Sequence, residues 1–180
     1  MNRALPHGAG HALMAVLLWS TVASAFKLSL RYLEPAQLLL ISTLVSTLFL
    51  GLLLLLRRQL AQIRHLPRGD WLRSAGLGLL NPCLYYLVLF AAYDRLPAQQ
   101  AQPLNYTWAL MLAWLSALLL GQRLLRWDIL AGIICYAGVL VVATRGDVLG
   151  LHFDDTLGVE LALGSTVIWA LYWVGVTRDD

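Results

Sequence analysis

Six apolar blocks, each of about 20 residues, follow one another along this chain, and that is the length an α-helix needs to cross a hydrocarbon core of roughly 30 Å. They cover residues 11–31, 36–56, 72–93, 98–121, 128–144 and 157–176. Lipid offers no partner to a bare peptide group, so each block is expected to satisfy its own backbone as a helix. Of the 180 residues, 59% are hydrophobic and 13% charged, too little charge to cover a soluble domain of this size. The pattern predicts an all-α integral membrane protein with six transmembrane helices. The first block runs past Lys27 without a small-residue cleavage site, which reads as a span rather than a signal peptide.

The connections are short, and several carry turn or cap chemistry. Glu34-Pro35 is expected to end the first helix and start the second. Gly69-Asp70 offers an N-cap to the third span, and Asp128 sets a negative charge at the start of the fifth. Arginine sorts between the two sides. Arg57, Arg58, Arg64, Arg68 and Arg73 follow span two, and Arg123 and Arg126 follow span four, on the same side as Arg3 and Arg178. The other side carries Arg31, Arg95 and Arg145 among Glu34, Asp94, Asp147, Asp154, Asp155 and Glu160. The positive-inside rule then predicts a cytoplasmic N-terminus in a cell (inner) membrane. The net charge of +3 is a topology signal, and nucleic acid is not an expected partner.

The segments 8–19 and 158–169 share Gly8/Gly158, Ala12/Ala162, Leu13/Leu163 and Trp19/Trp169. A pattern that restarts after five helices returns in the opposite orientation, the inverted-topology duplication of many secondary transporters. Residues 1–145 then form one five-helix repeat, and residues 146–180 an external loop and the first helix of a second.

Polar side chains inside the spans mark the candidate site. At about 100° per residue, Gln99, Gln102, Asn105, Tyr106, Ala109, Ala113 and Ser116 share a face of span four, with Trp108 at its edge. Pro103 leaves the Gln99 carbonyl without its helical partner. Such groups must face other helices or a wet cavity, so the stripe serves interhelical hydrogen bonding or lines a substrate path. In span three, Asn81-Pro82 interrupts the helix, and Gly78, Asn81, Tyr85 and Ala92 share a face; Tyr86 lies to one side, and Tyr93 reads as an interfacial tyrosine. In span one, Trp19, Ser20, Ala23, Ser24 and Lys27 align, and the lysine either snorkels to the boundary or points into the cavity. Ser165, Thr166, Trp169, Tyr172 and Trp173 cluster on span six, with Trp169 too deep for an aromatic belt. Span five, with Ala131, Cys135, Gly138 and Gly132, reads as a smooth face for close helix contact.

The candidate substrate-binding residues are therefore Trp19, Tyr85, Gln102, Asn105, Tyr106, Trp108, Trp169 and Tyr172. No deep carboxylate suggests proton or sodium coupling. His7, His11, His65 and His152 have no metal-ligand spacing, Cys83 and Cys135 read as packing residues, and no nucleophile has a base in reach. Neither an enzyme, a cofactor nor a metal is expected.

Trp19, Ser20, Lys27 and Pro35, the run from Ala98 to Gln102, and Gly121-Gln122-Arg123-Leu124 followed by Gly132 and Gly138 resemble the EamA-type drug/metabolite transporter superfamily over nearly the whole chain. Two positions depart from that pattern. Ile41-Ser42-Thr43 stands where the family commonly has an arginine, and Gln122 where it has a glutamate. Asn105-Tyr106-Thr107-Trp108 is similar to a run in its aromatic amino acid exporters. The resemblance implies a ten-helix bundle of two inverted five-helix repeats, of which this chain is the first half plus one helix, with the remaining helices as its partner. It implies export of amino acids or similar small metabolites through the bilayer by alternating access. Efflux of lipophilic cations, which an aromatic cage can hold, and a non-transporting scaffold are the competing expectations.

Overall fold

The computed structural model describes residues 8–64, 66–149 and 155–177, and among them every regular element is helical. Arg3, His7, His65, His152, Asp154 and Arg178 lie outside the described residues. Helix α1 covers Ala9–Ser29, α2 Pro35–Leu56, α3 Leu60–Arg64, α4 Arg68–Gly78, α5 Tyr85–Arg95, α6 Ala98–Tyr106, α7 Trp108–Leu120, α8 Arg126–Ala143 and α9 Thr156–Thr177. Helices α4 and α5 form one span across a wide turn at Leu79–Leu84, and α6 and α7 form another, so six helical spans are long and apolar enough to cross a membrane.

The predicted spans agree with these helices to within a few residues, except that the third begins earlier, at Arg68. Its start also differs in chemistry. Pro67, in extended conformation, occupies the cap position, and Asp70 sits in the first turn rather than capping it. There its charge meets the positive end of the helix dipole. Elsewhere the expected caps form. Pro35 opens α2 behind Glu34, whose N–H donates to Gln37 Oε1 at 3.0 Å. The Asp128 carboxylate accepts from the Leu125 N–H at 2.8 Å. Gly121 ends α7 in the left-handed region at φ 70°, a conformation that favours glycine.

Side-chain contacts show that successive spans alternate in direction. At one end of the bundle Lys27, near the end of α1, reaches the carbonyls of Tyr93 and Asp94, near the end of α5. At the same end Arg95 pairs with Asp155, just before α9, at 3.0 Å. First and third spans thus finish where the sixth begins.

The centre of the bundle is α9, which packs on α5, α7 and α6. Lipid tails are as apolar as leucine, so spans associate through close approach of small residues and through hydrogen bonds. Gly158, Ala162, Thr166, Ala170 and Val174 recur every fourth residue on α9 and are all buried. At Gly158 the approach is closest: a Cβ there meets Leu96 Cγ at 2.8 Å. By contrast α1, α2 and α8 turn most of their leucine, isoleucine and valine outward. The smooth face expected on span five is among these exposed surfaces. Ala131, Cys135 and Gly138 are exposed, and Gly132 is buried against the Trp114 ring.

Candidate functional site

Two helix breaks shape the space beside α9. Asn81 adopts an extended backbone (φ −141°, ψ 117°) ahead of Pro82, which re-aims α5 relative to α4. Thr107 ends α6 with its N–H and hydroxyl both on the Leu104 carbonyl, and α7 starts at the next residue, Trp108. Between α1, α5, α6 and α9 a cavity of about 200 Å³ remains. Trp19, Phe26, Tyr85, Tyr86, Tyr93, Tyr106 and Trp169 supply aromatic walls, completed by Val22, Ala23, Leu89, Gln102 and Asn105.

The rings hold one another. Tyr85 lies 4.6 Å from Trp169 and 4.8 Å from Tyr86, centroid to centroid, and Phe26 meets Phe90 at 4.7 Å and Tyr93 at 5.7 Å in edge contacts. Such pairs add about 0.5–1.5 kcal/mol each beyond their buried area. Polar groups link three spans. Tyr85 Oη donates to Asn105 Oδ1 at 3.3 Å, and Asn105 Nδ2 donates to Ser165 Oγ at 3.1 Å. Gln102 Nε2 donates to Tyr106 Oη at 2.8 Å. The indole N–H of Trp169 is buried without a partner among the described residues.

Of the eight candidate residues, Trp19, Tyr85, Gln102, Asn105, Tyr106 and Trp169 line this one cavity. Trp19 does so from the rim, being 58% exposed. Trp108 and Tyr172 do not line it; they pack on the Trp169 ring from behind, at 6.1 and 6.2 Å. The long stripe expected on span four breaks up. Gln99, Tyr106, Ala109 and Ala113 are exposed, while Gln100, Asn105, Thr107 and Ser116 are buried. Tyr93 corrects another expectation: at 3% exposure it is a cavity wall residue, not an interfacial belt residue. Lys27 does not line the cavity and reaches the end of the third span instead. Its Nζ sits on the Tyr93 and Asp94 carbonyls at 2.6 and 3.0 Å, a cation on a helix C-terminus. Phe26 and Tyr86 were hard to find, since nothing but their spacing from Ala23 and Tyr93 marks them.

Outside the spans, Asp155 accepts from the Gly158 N–H at 2.8 Å and from Arg95. Those two contacts, the backbone N–H first, hold its carboxyl below the usual carboxylate range. Among the described residues no group of histidine, cysteine or acidic side chains could hold a metal ion.

Residues 7–144 match the EamA-like transporter family. The chain belongs to that family. It is therefore a multi-pass membrane protein of the drug/metabolite transporter type. It is 29% identical over 156 residues to the uncharacterized transporter YvbV of Bacillus subtilis (strain 168), covering 87% of this chain and 49% of that protein. It is likewise 29% identical over 166 residues to the aromatic amino acid exporter YddG of Ancylobacter novellus, covering 91% of this chain and 56% of that protein. The chain thus spans about half the length of these curated relatives. No solved structure gives a significant match.

Proposed function

We propose that the protein works as a secondary transporter exporting amino acids with aromatic or bulky apolar side chains, or similarly small metabolites, by alternating access. The observation that carries this reading is the cavity wall. Seven of its twelve residues are aromatic, two are amides, and none is charged. Aromatic faces suit a flat apolar side chain, and a few placed polar groups can orient its backbone end. Among the residues that line it there is no carboxylate, which favours a small metabolite over a lipophilic cation. The similarity to an aromatic amino acid exporter agrees with this choice.

A ten-helix bundle of two inverted five-helix repeats belongs to the same reading. Trp19 and Trp169, matched positions in the segments 8–19 and 158–169, line one cavity. The helices that carry them are antiparallel by the alternation of spans. The arginines at 57–73 and 123–126 favour an inner membrane with that side, and the N-terminus, in the cytoplasm.

The test is transport by the full-length protein in proteoliposomes loaded with phenylalanine, tyrosine, tryptophan or leucine. Tyr106→Ala and Trp169→Ala are expected to lower the rate for the aromatic substrates at least tenfold. Unchanged rates for every amino acid in both variants refute the site. Protection of a cysteine placed at Asn105 from aqueous reagents in every state points instead to a scaffold.

A further inference from the structure

The bonds behind the cavity all run in one direction, and a backbone carbonyl sets that direction. Ser165 is fully buried on α9, and its hydroxyl donates to the Ala162 carbonyl at 2.6 Å. A serine hydroxyl has one hydrogen, so towards Asn105 it can only accept. The Asn105 carboxamide must therefore turn Nδ2 to Ser165, at 3.1 Å, and Oδ1 to Tyr85, at 3.3 Å. A carbonyl oxygen offers no proton, so the phenolic hydrogen of Tyr85 is spent on Asn105. Every proton in the chain points away from the cavity and towards α9. The other polar pair on the wall, Gln102 and Tyr106, has no third partner among the described residues to give it such a direction.

Both Tyr85 and Asn105 line the cavity, and with its hydrogen on Asn105 the Tyr85 hydroxyl has only lone pairs to offer a ligand there. Around Tyr85 lie the rings of Trp169 and Tyr86, whose faces attract a cation. We infer that Tyr85 forms a subsite for the protonated amine of the transported molecule, and that Ser165 is the positioning residue that fixes the subsite as an acceptor. This rests on the amino acid reading above and adds to it which end of the substrate enters first. A carboxylate brought against Tyr85 Oη itself meets lone pairs, and the donor it would seek is the indole N–H of Trp169, unpartnered among the described residues.

The experiment measures binding of phenylalanine, phenethylamine (no carboxylate) and 3-phenylpropionate (no amine) to the purified full-length protein. Wild type is expected to bind the two amines at least tenfold more tightly than 3-phenylpropionate. Tyr85→Phe deletes the acceptor and is expected to weaken both amines about tenfold to a hundredfold, with 3-phenylpropionate unchanged. Ser165→Ala lets the Asn105 amide turn, so its effect is read in the amine-to-carboxylate ratio, which falls; Ser165→Thr, which keeps the hydroxyl, restores it. A merely structural role for Ser165 weakens all three ligands alike and overturns its assignment. Wild type binding 3-phenylpropionate as tightly as phenethylamine, or an unchanged ratio in Tyr85→Phe, overturns the subsite while leaving the amino acid reading intact. Wild type binding none of the three overturns both.

Discussion

Replacing Gly158 with alanine tests the contact that seats α9, and with it Ser165 and Trp169, against the end of α5. A Cβ at this position lies 2.8 Å from Leu96 Cγ and 3.1 Å from both Arg95 Cβ and Leu96 Cδ2. Non-bonded carbons settle about 3.5–4.0 Å apart, so the methyl group needs roughly 0.7–1.2 Å more room than there is. Leu96 is 1% exposed and cannot swing clear, so the helices must part. Overpacking of this kind costs about 1–3 kcal/mol. Alanine's better helix propensity returns at most about 1 kcal/mol, and less in the first turn, where Gly158 lies. The net loss of about 1–2 kcal/mol corresponds to roughly 2–8 °C in Tm for a chain of this size. The assay is the fraction of detergent-solubilised protein that keeps a monodisperse size-exclusion peak after heating. Gly138→Ala is the control, because nothing lies within 4 Å of a Cβ there, and Gly132→Ala, at 3.3 Å from Trp114 Cζ2, is expected between the two. If Gly158→Ala melts with Gly138→Ala, the close approach of α9 to Leu96 is not part of the folded protein.

Lys27→Met removes two charge-assisted bonds to the end of α5 and is expected to cost about 1.5–3 kcal/mol in the same melting assay; a lysine that only snorkelled leaves stability unchanged. Asp155, whose carboxyl is held below the usual range, stabilises the folded state above its unfolded pKa, and that contribution disappears as pH falls through the lowered folded value. The melting gap between wild type and Asp155→Ala should therefore stay constant from neutral pH down and close only below about pH 4; a gap that closes near pH 6 contradicts the contact.

The spans and their caps were legible because both are local. A run of about 20 apolar residues has few options in a bilayer, and Glu34-Pro35 or Asp128 acts within one helical turn. Contacts between spans were harder to read, since an apolar residue looks the same whether it faces lipid or a neighbouring helix. Span five shows this: Ala131, Cys135 and Gly138 carry a small-residue spacing yet face outward. The true close-packing ridge runs through Gly158, Ala162, Thr166 and Ala170. Its every-fourth-residue spacing was present in the sequence, behind the more conspicuous tryptophans and tyrosines of the same helix.

The candidate site was half legible for a related reason. Periodicity projects side chains correctly only while the helix keeps its phase, and span three loses it at Asn81. On span four the predicted stripe divides on both sides of Thr107: Asn105 and Ser116 are buried, while Gln99, Tyr106, Ala109 and Ala113 are exposed. The prolines at 82 and 103 announced the interruptions without saying how far each helix would turn. The interruption at Asn81 stands just ahead of Tyr85, whose hydroxyl bonds Asn105 on the next span, with Ser165 behind them. A regular helix through this segment would carry Tyr85 in another direction, so the departure that defeated the projection on span three also sets the polar wall of the cavity.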